Sequence, residues 1–135
     1  MDAPKVSDIW RTESGSKIQA WFLMLTTVEM TDAKFGVQIG HGTDFIHMRG
    51  AENPFHQDWL TTANRRKVIL RIKSESDLEK IENACKAYNM LTSRIYDAGL
   101  TEFGKETLTG LVVLPHDDSN IPKPLQRTQA WKSPA

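Results

Sequence analysis

The residues best suited to chemistry in this chain lie in the run Asp97-Ala98-Gly99-Leu100-Thr101. The run directly follows Leu91 to Tyr96, an apolar segment whose composition suits a strand. A carboxylate there can accept hydrogen bonds or a proton, a glycine permits close backbone approach or positive φ, and a threonine adds a hydroxyl. The turn also has a purely local reading, in which Asp97 bonds its own backbone and closes the strand as an Asx turn. A second set is Lys34, Gln38 and His41, spaced i, i+4 and i+7. On a helix these form one polar stripe, and Lys, Gln and His together suit a cleft better than the Glu and Lys of an ordinary solvated face. Lysine, aspartate and threonine brought together, with a neighbouring Gln and His, could orient a water and stabilise a developing oxyanion without a metal.

Other chemistries find little support. His41 and His47 are six apart, His56 lies on a different segment, and no acid–histidine motif of zinc-ligand spacing occurs. There is no phosphate-cradling Gly-rich loop. A Ser-His-Asp triad stays open, but there is no Gly-x-Ser-x-Gly elbow to carry it. Cys85 is the only cysteine, so no internal disulfide can form. It falls on the apolar face of a predicted helix, where it reads as a buried structural thiol and not a nucleophile. Neither a cofactor nor a metal is expected.

The elements that must position these groups follow from periodicity. Ile18 to Leu25 is an apolar, aromatic run that reads as a buried strand. Thr31 or Asp32 can cap a helix from about Ala33 to Met48, with Phe35, Ile39, Gly42 and Ile46 as its packing face and the Lys34 stripe outside that face. A short helix is expected around Phe55 to Thr62. Asn64-Arg65-Arg66-Lys67 is the densest basic cluster, readable as a solvated loop or as a phosphate contact. Val68 to Ile72 reads as a central strand. Ser74 caps a clean amphipathic helix carrying Leu78, Ile81, Cys85 and Tyr88, which Asn89 can stop. Leu108 to Leu114 reads as a last buried strand, stopped by Pro115. Ile121 to Ala135 contains three prolines and reads as an extended tail rather than a helix.

Helices between strands imply crossovers, a mixed sheet and helices on both faces. Ligands of such sheets sit beyond the carboxyl ends of the strands. If the first and third strands run parallel, Lys34 and Asp97 share that edge.

At 135 residues the chain is expected to form one domain with a real core. Its 17 basic and 17 acidic residues cancel, so whole-molecule attraction to nucleic acid is weak and RNA binding would need a local basic patch. No apolar run approaches the ~20 residues needed to cross a bilayer, so no membrane association is expected. Met1 to Lys5 lack the layout of a signal peptide, and a cytoplasmic location is expected.

Two motifs together resemble the type 2 peptidyl-tRNA hydrolases. The first is Met30-Thr31-Asp32-Ala33-Lys34-Phe35-Gly36-Val37-Gln38-Ile39-Gly40-His41, similar to that family's Met-x-x-Gly-Lys-x-Ala-x-Gln-x-x-His helix. The second is Asp97-Ala98-Gly99-Leu100-Thr101, followed by Thr107-Leu108-Thr109 and Pro115. The resemblance runs from Ile18 to Pro115 and implies an α/β domain with a four-stranded mixed sheet. It implies hydrolysis of the ester between a peptide and the tRNA 3′ ribose, with peptidyl-tRNA as partner. It implies Lys34, Asp97 and Thr101 as catalytic residues, and Gln38, His41, Gly99, Thr107 and Thr109 as substrate-binding ones; Arg65, Arg66 and Lys67 join these as the basic cluster. The chain departs from the family pattern at Leu25, Thr27, Ala33 and Glu106. A non-catalytic RNA- or protein-binding member of the same fold, or a hydrolase of smaller substrates, are the other readings. The expected organisation is a flexible arm over 1–17, the domain over 18–116 and an extended tail over 117–135. Trp10 and Trp131, in those arms, are candidate anchors for a homodimer or a partner.

Overall fold

The computed structural model describes residues 17–99 and 103–132. Its elements are β1 (Ile18–Leu25), α1 (Asp32–Met48), a single 3-10 turn (Gly50–Glu52), α2 (His56–Leu60), β2 (Lys67–Ile72), α3 (Glu75–Ala87), β3 (Thr92–Asp97), β4 (Thr107–Asp117) and α4 (Lys123–Gln126). The four strands form one mixed sheet in the order β2-β1-β4-β3. β1 pairs parallel with β2 and antiparallel with β4, and β4 pairs antiparallel with β3. β1, β2 and β3 therefore run in one direction, and their carboxyl ends share one edge.

Helices cover both faces. Leu78 and Ile81 of α3 and Leu125 of α4 pack on Trp21, Leu23, Leu25 and Leu111. Ile46 of α1 and Trp59 of α2 pack on Phe22, Met24, Ile95 and Val112. With apolar layers on either side, β1 is buried without a break from Ala20 to Leu25, which is why it reads as a continuous apolar run and not as an alternating one. Each fully buried side chain of that run contributes roughly 1.5–3 kcal/mol on leaving water. The helix starts follow the sequence: the Thr31 hydroxyl accepts from the Lys34 amide at 3.2 Å, and Ser74 accepts from the Asp77 amide at 3.1 Å. Asn89 follows α3 with φ 59°, the left-handed stop its type allows.

Three expectations change. Pro115 does not end β4, which continues to Asp117 against Ile18 and Gln19. The register shifts by one residue between Gln19 and Trp21, leaving Leu114 and Pro115 opposite Ala20 alone. A bulge needs no ladder donor at that position, so proline fits. The segment past Asp117 is not simply extended. It carries the short helix α4, buries Ile121 and Leu125, and then runs along β2, where Leu70 bridges Ala130 and the Trp131 amide donates to the Ile69 carbonyl at 2.9 Å. Trp131 lies against Phe35 of its own chain, ring centroids 4.7 Å apart.

The third change bears on the site. The buried residues of α1 are Lys34, Gln38, Gly42 and Ile46, spaced four apart, while Phe35 and Ile39 sit half-buried on the flank. The polar stripe is therefore the upper half of the packing face. Gly42 sets the approach: a Cβ there would lie 2.6 Å from Phe22 Cε1, so only glycine lets the helix come this close to β1.

Candidate active site

Lys34 enters from the first turn of α1 and Asp97 is the last residue of β3. Lys34 Nζ stands 2.8 Å from Asp97 Oδ2, with side-chain exposures of 10% and 4%. Gln38, one turn further along α1 and fully buried, donates through Nε2 to the same Oδ2 at 2.8 Å. The Gly99 amide donates to the other oxygen, Oδ1, at 2.8 Å. One oxygen of Asp97 thus closes an Asx turn, as the local reading expects, and the other receives the Lys34 and Gln38 side chains of α1. Gly99 has φ 80°, and a Cβ on it would fall 2.1 Å from the backbone of Lys105. The turn therefore requires glycine.

Thr109 completes the arrangement from β4. Between Ile95 and Tyr96 the β3–β4 register shifts, and Thr109 is the extra residue on β4. Bulges re-aim side chains next to functional sites. Here the buried Thr109 hydroxyl lies 3.0 Å from Gln38 Oε1 and 3.1 Å from the Ile95 carbonyl. It has one proton and serves one of these acceptors at a time.

The electrostatics follow from these donors. The hydrogen bond from Lys34 is the largest influence on Asp97. With help from the Gly99 and Gln38 donors, it outweighs the opposing effect of burial and holds the carboxyl down at about 2. Asp97 is a carboxylate at any ordinary pH. Burial pushes the Cys85 thiol up to about 12, so it carries no thiolate at neutral pH.

Thr107 pairs with Asp97 across the end of the sheet, its hydroxyl donating to the Lys105 carbonyl at 3.0 Å. His41 is half-buried on α1, and among the described residues the network around Asp97 does not include it. Thr101 lies outside the described residues. Arg65, Arg66 and Lys67 are not brought to the site. They precede and begin β2, whose first residue pairs with Ala20, and so lie at the amino edge of the sheet. Lys67 Nζ sits 5.3 Å over the Trp59 ring, and the Trp59 indole donates to the Arg66 carbonyl at 2.8 Å. Sequence reasoning passed over Phe103, whose ring centroid is 5.8 Å from Lys34 Nζ. Its one signal was an aromatic residue in an otherwise polar loop.

Comparison with known proteins places the chain in a family. The family described as Peptidyl-tRNA hydrolase PTH2 matches residues 18–129. A peptidyl-tRNA hydrolase of Staphylothermus marinus is 29% identical over 102 residues, 73% of this chain and 83% of that protein. One of Methanocaldococcus jannaschii is 32% identical over 72 residues, 53% of this chain and 63% of that protein. One of Thermococcus sibiricus is 25% identical over 109 residues, 79% and 92% of the two chains. Two elements that carry Lys34 and Asp97 to one sheet edge, in a match that runs from β1 past α4, lead to one conclusion: the chain belongs to the PTH2 family of peptidyl-tRNA hydrolases.

Proposed function

We propose that the ester between peptide and tRNA is cleaved at the Lys34–Asp97 pair, with Asp97 orienting the attacking water and Lys34 stabilising the oxyanion. The observation that carries the reading is the buried ion pair of 2.8 Å at the carboxyl edge of the sheet. A carboxylate offers about four acceptor positions, and the donors from Lys34, Gln38 and Gly99 occupy three, so one remains for a water. The water oxygen attacks the carbonyl carbon, negative charge builds on the carbonyl oxygen beside the Lys34 ammonium, and the bond to the 3′ ribose oxygen breaks as that oxygen takes up the proton the attacking water gives up. Asp97 is better fitted to orient the water than to deprotonate it. A carboxylate held at about 2 by its donors is a weak base at neutral pH. The positive charge comes from the protein, so this reading requires no metal.

Gln38 and Thr109 hold the pair in register, and Thr101 is assigned to Asp97 or the substrate from the motif it shares. A cytoplasmic location is proposed with the substrate, and the homodimer remains a proposal that sedimentation can read. Among the described residues no helix is long and apolar enough to cross a membrane. The test is cleavage of a peptidyl-tRNA by the purified protein beside Asp97→Ala. Cleavage by the parent and not the variant supports the assignment; full activity in both Asp97→Ala and Lys34→Ala sinks it.

A further inference from the structure

A second site stands at the carboxyl end of β2. There the end of the strand, the first two turns of α3, and α4 with the segment after it border an open cavity of about 380 Å³. Arg71, Lys73, Lys80 and Arg127 line it, against a single carboxylate, Asp77. The chain as a whole has 17 cations and 17 anions, so four cations to one anion is a strong local excess. Among the described residues, Lys73, Lys80 and Arg127 enter no ion pair. The guanidinium of Arg71 is steadied by the Gln129 side chain, which is uncharged and leaves the charge in place.

The position matters as much as the charge. β1, β2 and β3 point the same way, so the end of β2 and Asp97 at the end of β3 lie on one edge of the sheet. Three strand spacings separate them, roughly 15 Å. The cavity lies against α3 and Asp97 faces α1, so a small ester cannot touch both, whereas a long polyanion can pass round the edge. The other basic cluster, Arg65 to Lys67, is at the opposite edge. A chain of zero net charge has no overall field to hold nucleic acid and depends on such local clusters.

We infer that this cavity binds backbone phosphate of the nucleic-acid part of the substrate, away from the scissile ester. The inference rests on peptidyl-tRNA being the substrate. Arginines suit the two free oxygens of a phosphodiester, and the lysines add point charge. The contact is electrostatic and releases counterions, so it sets affinity and its salt dependence.

The test is binding of deacylated tRNA, which contains no ester and reports nothing on cleavage. Lys80→Ala/Arg127→Ala is compared with Lys17→Ala/Lys86→Ala, which removes the same charge elsewhere; all four side chains are exposed. The cavity variant should bind about tenfold more weakly at low salt, and its plot of log affinity against log salt should be shallower by about 1–2, while the control follows the parent. An unchanged cavity variant overturns the site, as does a control that weakens as much as the cavity variant. A parent that binds tRNA through the cavity but fails to cleave peptidyl-tRNA would instead sink the catalytic reading and leave the site standing.

Discussion

The hydroxyl of Thr109 lies 3.0 Å from Oε1 of Gln38, at the end of the side-chain amide away from Asp97, whose carboxylate can only accept and so fixes which end it meets. With Oε1 turned to Thr109, Nε2 is directed at Asp97 Oδ2, 2.8 Å away. Turned the other way, an amide oxygen would face a carboxylate in a buried site, with like partial charges opposed. Thr109→Val keeps the shape and the β-branch but removes the hydroxyl. It should cost about 1–3 kcal/mol in thermal or denaturant unfolding, since buried Gln38 Oε1 loses its donor. It should also lower kcat/KM for peptidyl-tRNA by roughly tenfold, equivalent to about 1.4 kcal/mol. Parent-like activity with lowered stability would confine Thr109 to holding the fold.

Gln38→Glu tests the same contact by charge. It sets a second carboxyl against Asp97 Oδ2, and two carboxylates sharing a site cannot both ionise cheaply. The new carboxyl should have its folded pKa raised above the unfolded value near 4.3. Its effect on stability is therefore mild below that value and worsens as pH rises through the folded pKa. Unfolding of Gln38→Glu against the parent at pH 4 and pH 8 reads this directly. An equal deficit at both pH values would show that the introduced carboxyl does not meet Asp97.

Lys34 and Asp97 should be coupled in stability as well as in activity. Removing one partner of a deeply buried pair costs about 3–5 kcal/mol; at the rim of the sheet, where solvent screens part of the field, roughly 2 is expected. Lys34→Met and Asp97→Asn should each be destabilising, and the double variant less so than their sum, because neither charge is left alone. A double-mutant cycle by chemical denaturation measures this. Strict additivity would mean that the 2.8 Å contact carries no net energy.

The same carboxylate fixes an acid dependence. Asp97 is held at about 2, below its unfolded value near 3.9, so it contributes stability at and above pH 5 that is lost as pH falls from about 4 to 2. With screening at the sheet edge this is about 1–2 kcal/mol. Glu82, bonded first by Arg94, and Asp117, bonded first by Ser119, are lowered too and share the acid transition. Asp97→Asn should therefore flatten the stability curve below pH 4 without abolishing its fall. The parent's kcat/KM should show no titration step near pH 4, because Asp97 remains ionised there.

Much of this fold is legible in the sequence. Caps at Thr31 and Ser74, the αL stop at Asn89 and the buried run of β1 are local signals, and each element begins or ends within a residue or two of them. The parallel sense of β1 and β3 made Lys34 and Asp97 neighbours by topology alone. Long-range events were not legible. Phe35 and Ile39 look like the core of α1, yet Phe35 turns to the flank because Trp131, 96 positions later, covers it. Thr109 reads as an ordinary strand residue until the β3–β4 register makes it a bulge. Pro115 ends a strand by rule but not opposite Ala20, where the partner strand needs no donor. The basic run Arg65 to Lys67 carries charge in the sequence but no position, and β2 places it at the edge away from Asp97.

Gly99 links the turn to the chemistry and gives the sharpest local test. Its amide holds Asp97 Oδ1, its φ is 80°, and the space where a side chain would stand is occupied by the backbone of Lys105 at 2.1–2.4 Å. Backbone cannot yield as a flexible side chain can, so Gly99→Ala must open the turn. Opening it removes the Oδ1 donor and frees the carboxylate to rotate about its bond to Cβ, away from Lys34. Gly99→Ala should cost more than about 1 kcal/mol, the steric term adding to the left-handed penalty. It should also move the folded pKa of Asp97 upward, since one of its donors is lost. Titration of the Asp97 carboxyl by NMR in parent and variant reads the second effect. An unmoved carboxyl in a destabilised Gly99→Ala would mean that the turn matters to the fold but does not hold Asp97 for Lys34.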